Sequence, residues 1–304
     1  MFMKAIVITR YGGPEVMEYR DHADPSPGPD EVLVRVAATS INPFDMKRRS
    51  GEAKAFAPIN FPGIIGVDLA GTVISCGQKV GDFAPGDHVF GMAAQTYAER
   101  CVAKAEWLAK IPAGLDVVEA AAIPLVTTTG YQLIMKGASV KDGQSVLVTG
   151  ALGNVGRSAV FTAKSLGARV IAGVRKKQLA QAAELKVDGA LALDNPDAVE
   201  GLQMLDAVAD TVDGATAELL IRKVKAGGKF ASVVGVPQNS AQYSSVKVVP
   251  VYAQSDPKAL LEMARAVIEG KLKIPIAAKK PLNEAAEAHA LVAKGTNGKV
   301  LLVP

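Results

Sequence analysis

The hydrophobic and polar positions follow two different patterns along the chain, and the change falls near residue 118. Before it, apolar and polar residues alternate over short runs, and turns rich in Gly, Pro and Asp separate these runs. Alternation with a period of two predicts strands that bury one face. The predicted strands are Met3–Ile8, Val16–Arg20, Glu31–Ala37, Gly66–Ser75 and Val89–Gly91. Many short strands joined by turns favour a compact, partly open β-barrel over residues 1–118.

After Val117 the chain is Ala-rich and helical to about Leu133, and short apolar runs then alternate with segments of helical period. The apolar runs predict strands at Ser145–Thr149, Arg169–Val174, Gly189–Leu193, Ala207–Val212, Lys229–Val234 and Val246–Tyr252. The helical segments are 154–166, 176–185, 196–202, 215–225 and 257–269. Strands that alternate with helices favour an α/β domain with a doubly wound parallel sheet.

The last part of the chain returns to the first pattern. Strands are predicted at Lys279–Leu282 and Gly298–Val303, with a helix over 283–293 between them. A chain of 304 residues exceeds one typical hydrophobic core, so two domains are expected. We therefore predict one domain from residues 1–118 and 272–304, and a second, 119–271, inserted into it.

The run VLVTGALGNVG (146–156) joins a predicted strand to a predicted helix through a glycine-rich turn. In this context G-x-x-G-x-x-G indicates a dinucleotide site, because the glycines permit a tight turn, a close approach of the diphosphate and close helix packing. The N-terminus of the following helix directs N–H groups and a positive dipole end at the phosphates. The residues expected to contact the diphosphate are Gly150, Leu152, Gly153, Asn154, Val155 and Gly156.

The end of the next predicted strand indicates which dinucleotide binds. A site that prefers NAD normally has Asp or Glu there to hold the ribose 2′-hydroxyl. Here Gly173 and Val174 are followed by Arg175, Lys176 and Lys177. Cations in a first helical turn oppose the helix dipole, which favours a functional reason for them over a merely solvated surface. Arg binds a 2′-phosphate well, so we predict NADPH, with Gly173, Arg175 and Lys176 at its phosphate end.

Composition and charge narrow the classes of function and the cellular locations that remain open for this chain. The net charge is +4 with no basic block, which gives no support for nucleic-acid binding. Two cysteines, Cys76 and Cys101, rule out a disulfide framework and fit a reducing compartment. There is no apolar stretch of about 18 residues and no signal peptide is expected, so we predict a cytoplasmic protein without membrane segments. The G-x-S-x-G motif of serine hydrolases is absent.

The remaining motifs carry a resemblance over essentially the whole length. They are YGGPEVMEY, SINPFDMKRRSG, FPGIIGVDLAGTV, FAPGDHVFGM, AAIPLVTTTGYQ, VLVTGALGNVG, FASVVGVP and NGKVLLV. In this order they resemble the zinc-free quinone oxidoreductase (zeta-crystallin-like) branch of the medium-chain dehydrogenase/reductase superfamily. The resemblance implies a GroES-like, partly open β-barrel catalytic domain and an inserted Rossmann domain.

The resemblance also implies that no zinc binds. In the zinc-dependent alcohol dehydrogenases of the superfamily the metal is held by a Cys, a Gly-His-Glu segment and a second Cys. Here Asn42 stands in place of the first Cys, and Gly66-Val67-Asp68 replaces Gly-His-Glu. A catalytic zinc needs three protein ligands and a structural zinc needs four, and neither set is available.

Further site residues follow from the resemblance alone. It places Asn42 beside the nicotinamide, where its amide would bond a substrate carbonyl; the alternative is that Asn42 only caps the turn before Pro43. Thr127 and Val234-Gly235-Val236 are expected at the nicotinamide end. The family's Tyr after the R-S-G segment is missing, since Phe56 is the aromatic residue there, so Tyr131 is the phenol we assign to catalysis.

The predicted function is NADPH-dependent, zinc-independent reduction of quinones by hydride transfer in the cleft between the domains. Without a Lewis acid, an already polarised acceptor can take a hydride chiefly through positioning. Two alternatives remain: an alkenal or enone double-bond reductase on the same scaffold, and an NADPH-binding structural or regulatory protein with little turnover. The apolar run Val246–Val251 could pair edge to edge in a homodimer.

Overall fold

Short strands and helices follow one another along residues 2–212 and 214–304, the part of the chain that the computed structural model describes. The strands are β1 (Phe2–Ile8), β2 (Glu18–Ala23), β3 (Glu31–Ser40), β4 (Gly63–Ile64), β5 (Asp68–Cys76), β6 (His88–Met92), β7 (Arg100–Lys104), β8 (Leu108–Lys110), β9 (Ser145–Thr149), β10 (Arg169–Val174), β11 (Gly189–Ala192), β12 (Leu205–Asp210), β13 (Val224–Ser232), β14 (Lys247–Pro250), β15 (Ile276–Pro281) and β16 (Lys299–Val303). The α-helices are α1 (Pro43–Ser50), α2 (Pro124–Gln132), α3 (Asn154–Ser165), α4 (Leu179–Ala182), α5 (Pro196–Glu200), α6 (Ala215–Leu220), α7 (Pro257–Ile268) and α8 (Ala285–Ala293).

The chain divides into two units. The first runs to Leu125 and resumes at Ser255–Gly270 and Ile274–Pro304, and the second comprises Val126–Gln254 and Lys271–Lys273. These limits differ from the predicted boundaries, because residues up to 125 and helix α7 belong to the first unit. The physical reason is a shared core, in which Ile123 of the segment before α2 and Leu260 of α7 are buried with Phe90.

The second unit is built on a parallel sheet with the order β11-β10-β9-β12-β13-β14. Counted along the chain this is 3-2-1-4-5-6, the Rossmann order, which reverses direction between β9 and β12. Both faces of the sheet are covered: Val146 and Val148 enter one apolar cluster, whereas Leu147 enters the other. Burial on both faces explains why these strands are apolar throughout instead of alternating.

The first unit contains a three-stranded sheet, β2-β1-β4, and a larger one with the order β15-β16-β3-β5-β6-β8, in which β7 also pairs with β3. The C-terminal strand β16 is antiparallel to β3, so the tail of the chain completes the first unit. The predicted combination of a β-rich domain and an inserted Rossmann-like sheet is therefore confirmed.

Several local predictions need correction. The helix predicted over 176–185 is broken into 3₁₀ turns around the short α4, and β13 begins at Val224 instead of Lys229. Helix α1, which the hydrophobic pattern did not predict, is defined by its ends: Pro43 opens it, the Asp45 carboxylate accepts the Asn42 backbone N–H at 2.9 Å, and Gly51 closes it at φ 91°. Its polar sequence gives no apolar stripe for a periodicity argument to detect.

Candidate functional site

The glycine-rich turn lies between the end of β9 and the start of α3. Gly150 has φ +58°, in the left-handed region that favours glycine. The N–H of Gly153 donates to the carbonyl oxygen of Gly150 at 2.8 Å and closes the turn. A Cβ atom on Gly156 would lie 2.1 Å from that same carbonyl oxygen, so only glycine lets α3 start so close to the strand. Gly150 and Gly156 thus meet the steric requirements predicted for them, whereas the diphosphate contact of Gly153 stays a prediction.

The outer side of this turn is open. Gly153 is exposed, and a Cβ atom there would meet only the Gly150 carbonyl oxygen, at 3.1 Å. The first N–H groups of α3 have no intrahelical acceptor, which suits them to bind an anion. Behind the turn, the buried Arg157 donates from Nε to the Leu152 carbonyl at 2.9 Å and forms an ion pair with Glu184. The sequence analysis did not predict these contacts of Arg157, although an arginine close to a helix N-terminus could have indicated them.

The end of β10 carries the predicted cations. Gly173 is buried, and a Cβ atom there would meet the Val148 carbonyl oxygen of β9 at 3.1 Å. Arg175 and Lys176 are exposed. The carboxylate of Asp194, which follows β11, accepts the backbone N–H of Lys176 at 2.6 Å. The carboxylate at this end of the sheet therefore holds the backbone turn, while the two cationic side chains extend into solvent.

The end of β13 turns into the loop 233–237. The N–H groups of Val234 and Gly235 both donate to the hydroxyl oxygen of Ser232, at 3.2 Å each, and Val236 is 49 % exposed. Because β9, β10 and β13 are strands of one parallel sheet, the glycine turn, the Arg175 turn and this loop all lie at its carboxyl edge. Ligands of such sheets bind outside that edge, where the strand order reverses.

Helix α2 places Thr127 and Tyr131 near the start of α3. The Thr127 carbonyl accepts a hydrogen bond from the Ser158 hydroxyl of α3 at 2.9 Å. A Cβ atom on Gly130 would lie 2.5 Å from the Val155 carbonyl oxygen, so the two helices cross closely at this glycine. Thr127 is buried and Tyr131 is half-buried.

Asn42, which belongs to the first unit, is 1 % exposed and fully engaged by its neighbours. Its Nδ2 donates to the Asp68 carboxylate at 2.8 Å and makes longer bonds of 3.3 Å to the Ser40 carbonyl and to Asp45. Its Oδ1 accepts from the Lys299 ammonium at 2.6 Å. Both amide N–H groups are therefore used within the protein. To donate to a substrate carbonyl, Asn42 would have to give up one of these bonds.

The chain matches two known protein families and resembles known proteins over nearly all of its length. Residues 28–113 match the family described as "Alcohol dehydrogenase GroES-like domain", and residues 166–302 match "Zinc-binding dehydrogenase". The chain is 32 % identical to the quinone oxidoreductase of Pseudomonas aeruginosa, over 99 % of both proteins. It is 30 % identical to the chloroplast envelope quinone oxidoreductase homolog of Arabidopsis thaliana, over 99 % of this chain and 98 % of the relative. The solved quinone oxidoreductase of Coxiella burnetii superimposes with a TM-score of 0.89 at 28 % identity, over all of both chains.

This chain belongs to the quinone oxidoreductase branch of the medium-chain dehydrogenase/reductase superfamily. The resemblance inferred from the motifs is confirmed, as is the combination of GroES-like and Rossmann-like domains. The protein is accordingly an oxidoreductase of a superfamily that binds a nicotinamide dinucleotide and acts on small molecules. In the described ranges, 2–212 and 214–304, no helix has the length and apolar character needed to span a bilayer.

The zinc that one of the matching family names implies does not fit this oxidoreductase. Lys299, 3 % exposed, donates from Nζ to the Ile41 carbonyl at 3.2 Å and lies 3.4 Å from the Asp68 carboxylate, in addition to its bond to Asn42. An ammonium thus contacts Asn42 and Asp68, which stand in the segments that correspond to those holding zinc in the zinc-dependent alcohol dehydrogenases, and it would repel a second cation there. Among the residues that the structure describes, no three His, Cys, Asp or Glu side chains group as a metal site.

A second buried polar group lies in the same unit of the oxidoreductase. His289 of α8 accepts at Nδ1 from the Arg49 guanidinium at 2.9 Å and donates from Nε2 to the Tyr97 hydroxyl at 3.0 Å. Arginine can only donate, which fixes this tautomer. Burial, together with the Arg49 charge, lowers the pKa of His289 to about 3. The histidine is therefore a neutral core residue, in line with its place outside the predicted site.

Asp45 is a further group whose pKa is strongly shifted. Its side chain is fully buried, and among the described residues its Oδ1 atom has no hydrogen bond of regular geometry. Burial and the nearby Asp68 carboxylate raise the pKa of Asp45 to about 7, although the Asn42 N–H bond and the Lys299 charge act in the opposite direction. The same burial lowers the pKa of Lys299 and raises that of Tyr97. The sequence motif contained Asp45 but gave no sign that a second buried carboxylate, Asp68, lies near it.

Proposed function

We propose that this member of the quinone oxidoreductase branch reduces quinones with NADPH, by hydride transfer and without zinc. The observation that supports the proposal best is the carboxyl edge of the Rossmann-like sheet. There a glycine turn open to an anion adjoins a strand end that carries Arg175 and Lys176 and no acidic side chain on the turn itself. The bound cofactor would supply the hydride, and the chain would bind and orient both reactants.

Each predicted site residue takes a place in this proposal. The turn from Gly150 to Gly156 holds the diphosphate, and Gly173, Arg175 and Lys176 hold the adenosine end with its 2′-phosphate. Thr127 and the backbone of residues 234–236 hold the nicotinamide end. Tyr131 stands as the candidate proton donor, and Asn42 as the candidate contact beside the nicotinamide. A reduced quinone anion can also take its proton from water.

The cofactor preference is tested by charge reversal at Arg175. Arg175→Glu should weaken NADPH binding by about 100-fold or more and NADH binding by less than about threefold, because only NADPH loses a charge-assisted partner. Lys141→Glu makes the same change in charge at the exposed approach to β9, at the amino edge of the sheet, and serves as the control. Equal losses for the two cofactors would contradict the 2′-phosphate assignment.

The acceptor is tested with NADPH oxidation assays on 1,4-benzoquinone and on an α,β-unsaturated aldehyde. Rapid turnover with the quinone supports the proposal, whereas turnover with the aldehyde alone would establish the double-bond reductase instead. Tight NADPH binding without reduction of either acceptor would identify a binding protein with little turnover. Pre-incubation with a strong zinc chelator should leave the rate unchanged; a loss that added zinc restores would refute metal-free catalysis.

We further propose that the protein forms a homodimer through β14. This strand is the last in its sheet and pairs with β13 along one edge, so its other edge offers backbone groups to a second copy. Sedimentation equilibrium should give twice the chain mass at micromolar concentration. A single-chain mass across that range would exclude the dimer.

A further inference from the structure

A buried carboxylate lies where the order of the Rossmann-like sheet reverses. Asp210 is the last residue of β12, which neighbours β9 on one side and β13 on the other, and its side chain is 0 % exposed. β9 leads into the glycine turn, and β13 leads into the loop 233–237. Asp210 therefore stands between the two segments that the proposed function assigns to opposite parts of the cofactor.

Both carboxylate oxygens of Asp210 bind the flanking strands at the residues that precede those segments. Oδ1 accepts from the Thr149 hydroxyl at 2.8 Å and from the Val212 N–H at 3.2 Å. Oδ2 accepts from the Ser232 hydroxyl at 2.9 Å. Thr149 directly precedes Gly150, and Ser232 directly precedes the loop. One rigid group thus ties together the starting points of both.

The bonds continue into the loop and around the residue that precedes the glycine turn. The hydroxyl oxygen of Ser232 accepts the N–H groups of Val234 and Gly235, so donating its proton to Asp210 orients its lone pairs toward the loop. On the other side, Thr211 donates its N–H to the Thr149 hydroxyl oxygen and its own hydroxyl to the Thr149 carbonyl, at 2.7 Å each. The loop backbone and Thr149, the residue before the turn, are thus both held through hydroxyls that donate to the carboxylate.

We propose that Asp210 is a positioning residue that sets the spacing between the glycine turn and the loop 233–237, so that one dinucleotide reaches both. The inference rests on the proposed function, since it concerns how that cofactor is held. Asp210 itself is buried and acts through Thr149 and Ser232. Its loss should therefore weaken the binding of ligands that span both segments more than the binding of ligands that reach only the turn.

The chain offers a matched control on the same strands. Asp206, near the start of β12, accepts the backbone N–H and the hydroxyl of Ser145, the first residue of β9, at 2.8 Å each. Asp206→Asn thus removes a carboxylate that ties β12 to β9, as Asp210→Asn does, but at the opposite edge of the sheet. A purely structural role for Asp210 predicts the same behaviour of the two variants toward ligand.

The experiment compares the affinities of NADPH and of 2′-phospho-ADP-ribose, which lacks the nicotinamide, by titration calorimetry. In Asp210→Asn the NH2 group would not suit the place of Oδ1, where it would meet the fixed Val212 N–H. It would therefore face Ser232, whose oxygen already accepts two N–H groups, so the loop must rearrange. We expect NADPH to bind about tenfold more weakly or worse, 2′-phospho-ADP-ribose to change by less than about threefold, and Asp206→Asn to leave both affinities unchanged.

Ser232→Ala provides a second variant that does not alter a buried charge, and it should show the same selective loss of NADPH. If Asp210→Asn does not fold, this variant carries the test. Unchanged NADPH affinity, or equal weakening of the two ligands, would overturn the positioning role while leaving the proposed function in place. Wild-type protein that binds neither nucleotide would overturn the proposed function, and the inference with it.

Discussion

Asp45 and His289 should affect the stability of this protein in opposite directions as the pH changes. In the folded state Asp45 holds its proton up to about pH 7, whereas its ordinary pKa is 3.8. The folded protein therefore binds more protons than the unfolded chain between these values, and stability falls as the pH rises. His289 has a folded pKa of about 3 against an ordinary 6.5. There the unfolded chain binds more protons, and stability falls as the pH drops.

The magnitudes follow from the widths of the two windows. One proton difference changes the free energy of unfolding by about 1.4 kcal/mol per pH unit. Over its window Asp45 thus costs about 4 kcal/mol by pH 7, and His289 costs about 5 kcal/mol by pH 3. From about pH 4 to 6.5 the two slopes have opposite signs and cancel. In this interval the stability of the wild-type protein therefore shows neither pH dependence, and removing either group should expose the pH dependence caused by the other.

The assay is urea unfolding, followed by circular dichroism, of wild type, Asp45→Asn and His289→Gln from pH 5 to 7. Relative to wild type, the free energy of unfolding of Asp45→Asn should increase with pH by about 1.4 kcal/mol per unit. That of His289→Gln, whose amide can keep the bonds to Arg49 and Tyr97, should decrease with a similar slope up to pH 6.5. Asp197→Asn, at an exposed aspartate in the first turn of α5, controls for the change in net charge. Two parallel difference curves, or slopes of the same sign, would refute this account of the buried groups.

Two further substitutions test the geometry of the site and its surroundings. Gly156→Ala should weaken NADPH binding at least about tenfold, because its Cβ atom would lie 2.1 Å from the Gly150 carbonyl oxygen. As the control, Gly189→Ala should bind NADPH as wild type does in the same titration, because its Cβ atom would have its nearest neighbour at 3.9 Å. Lys299→Met should lower the free energy of unfolding in urea by about 3–5 kcal/mol, since it leaves the Asp68 carboxylate buried without its cation. Lys225→Met, which breaks a half-exposed pair with Asp206, should lower it by less than about 1 kcal/mol. Equal losses for the two variants would contradict the role given to burial.

The parts of the fold that the sequence predicted best are those specified locally. Strands β9 and β10 were predicted to the residue, because an apolar run buried on both faces ends where a glycine turn or a charged turn begins. The glycine turn could be predicted equally well, since Gly150 and Gly156 each answer a steric requirement of their immediate neighbours. Helix α1 was missed because its stability comes from Pro43, Asp45 and Gly51 at its ends and from a buried contact of Arg49 with a distant helix, instead of from an apolar face.

Contacts between distant parts of the chain account for what the sequence did not show. Thr149 and Asp210 are 61 residues apart, and Asn42 and Lys299 are 257 apart, so no local pattern links either pair. The closing motif NGKVLLV supported the family resemblance but carried no sign that its lysine reaches a buried amide. The pairing of β16 with β3 brings the C-terminal strand to the start of α1.

Asn42 shows how such a contact changes the meaning of a residue. Its type and its place in the motif indicated that no zinc binds and suggested a donor for a substrate carbonyl. The Lys299 ammonium and the Asp68 carboxylate then supply a different reason for an amide at this position, since one side chain must accept from a cation and donate to an anion at once. A cysteine there would serve a metal, and an aspartate would add a third buried carboxylate beside Asp45 and Asp68. The absence of a metal ligand at position 42 and the presence of the buried lysine are thus two parts of one electrostatic arrangement.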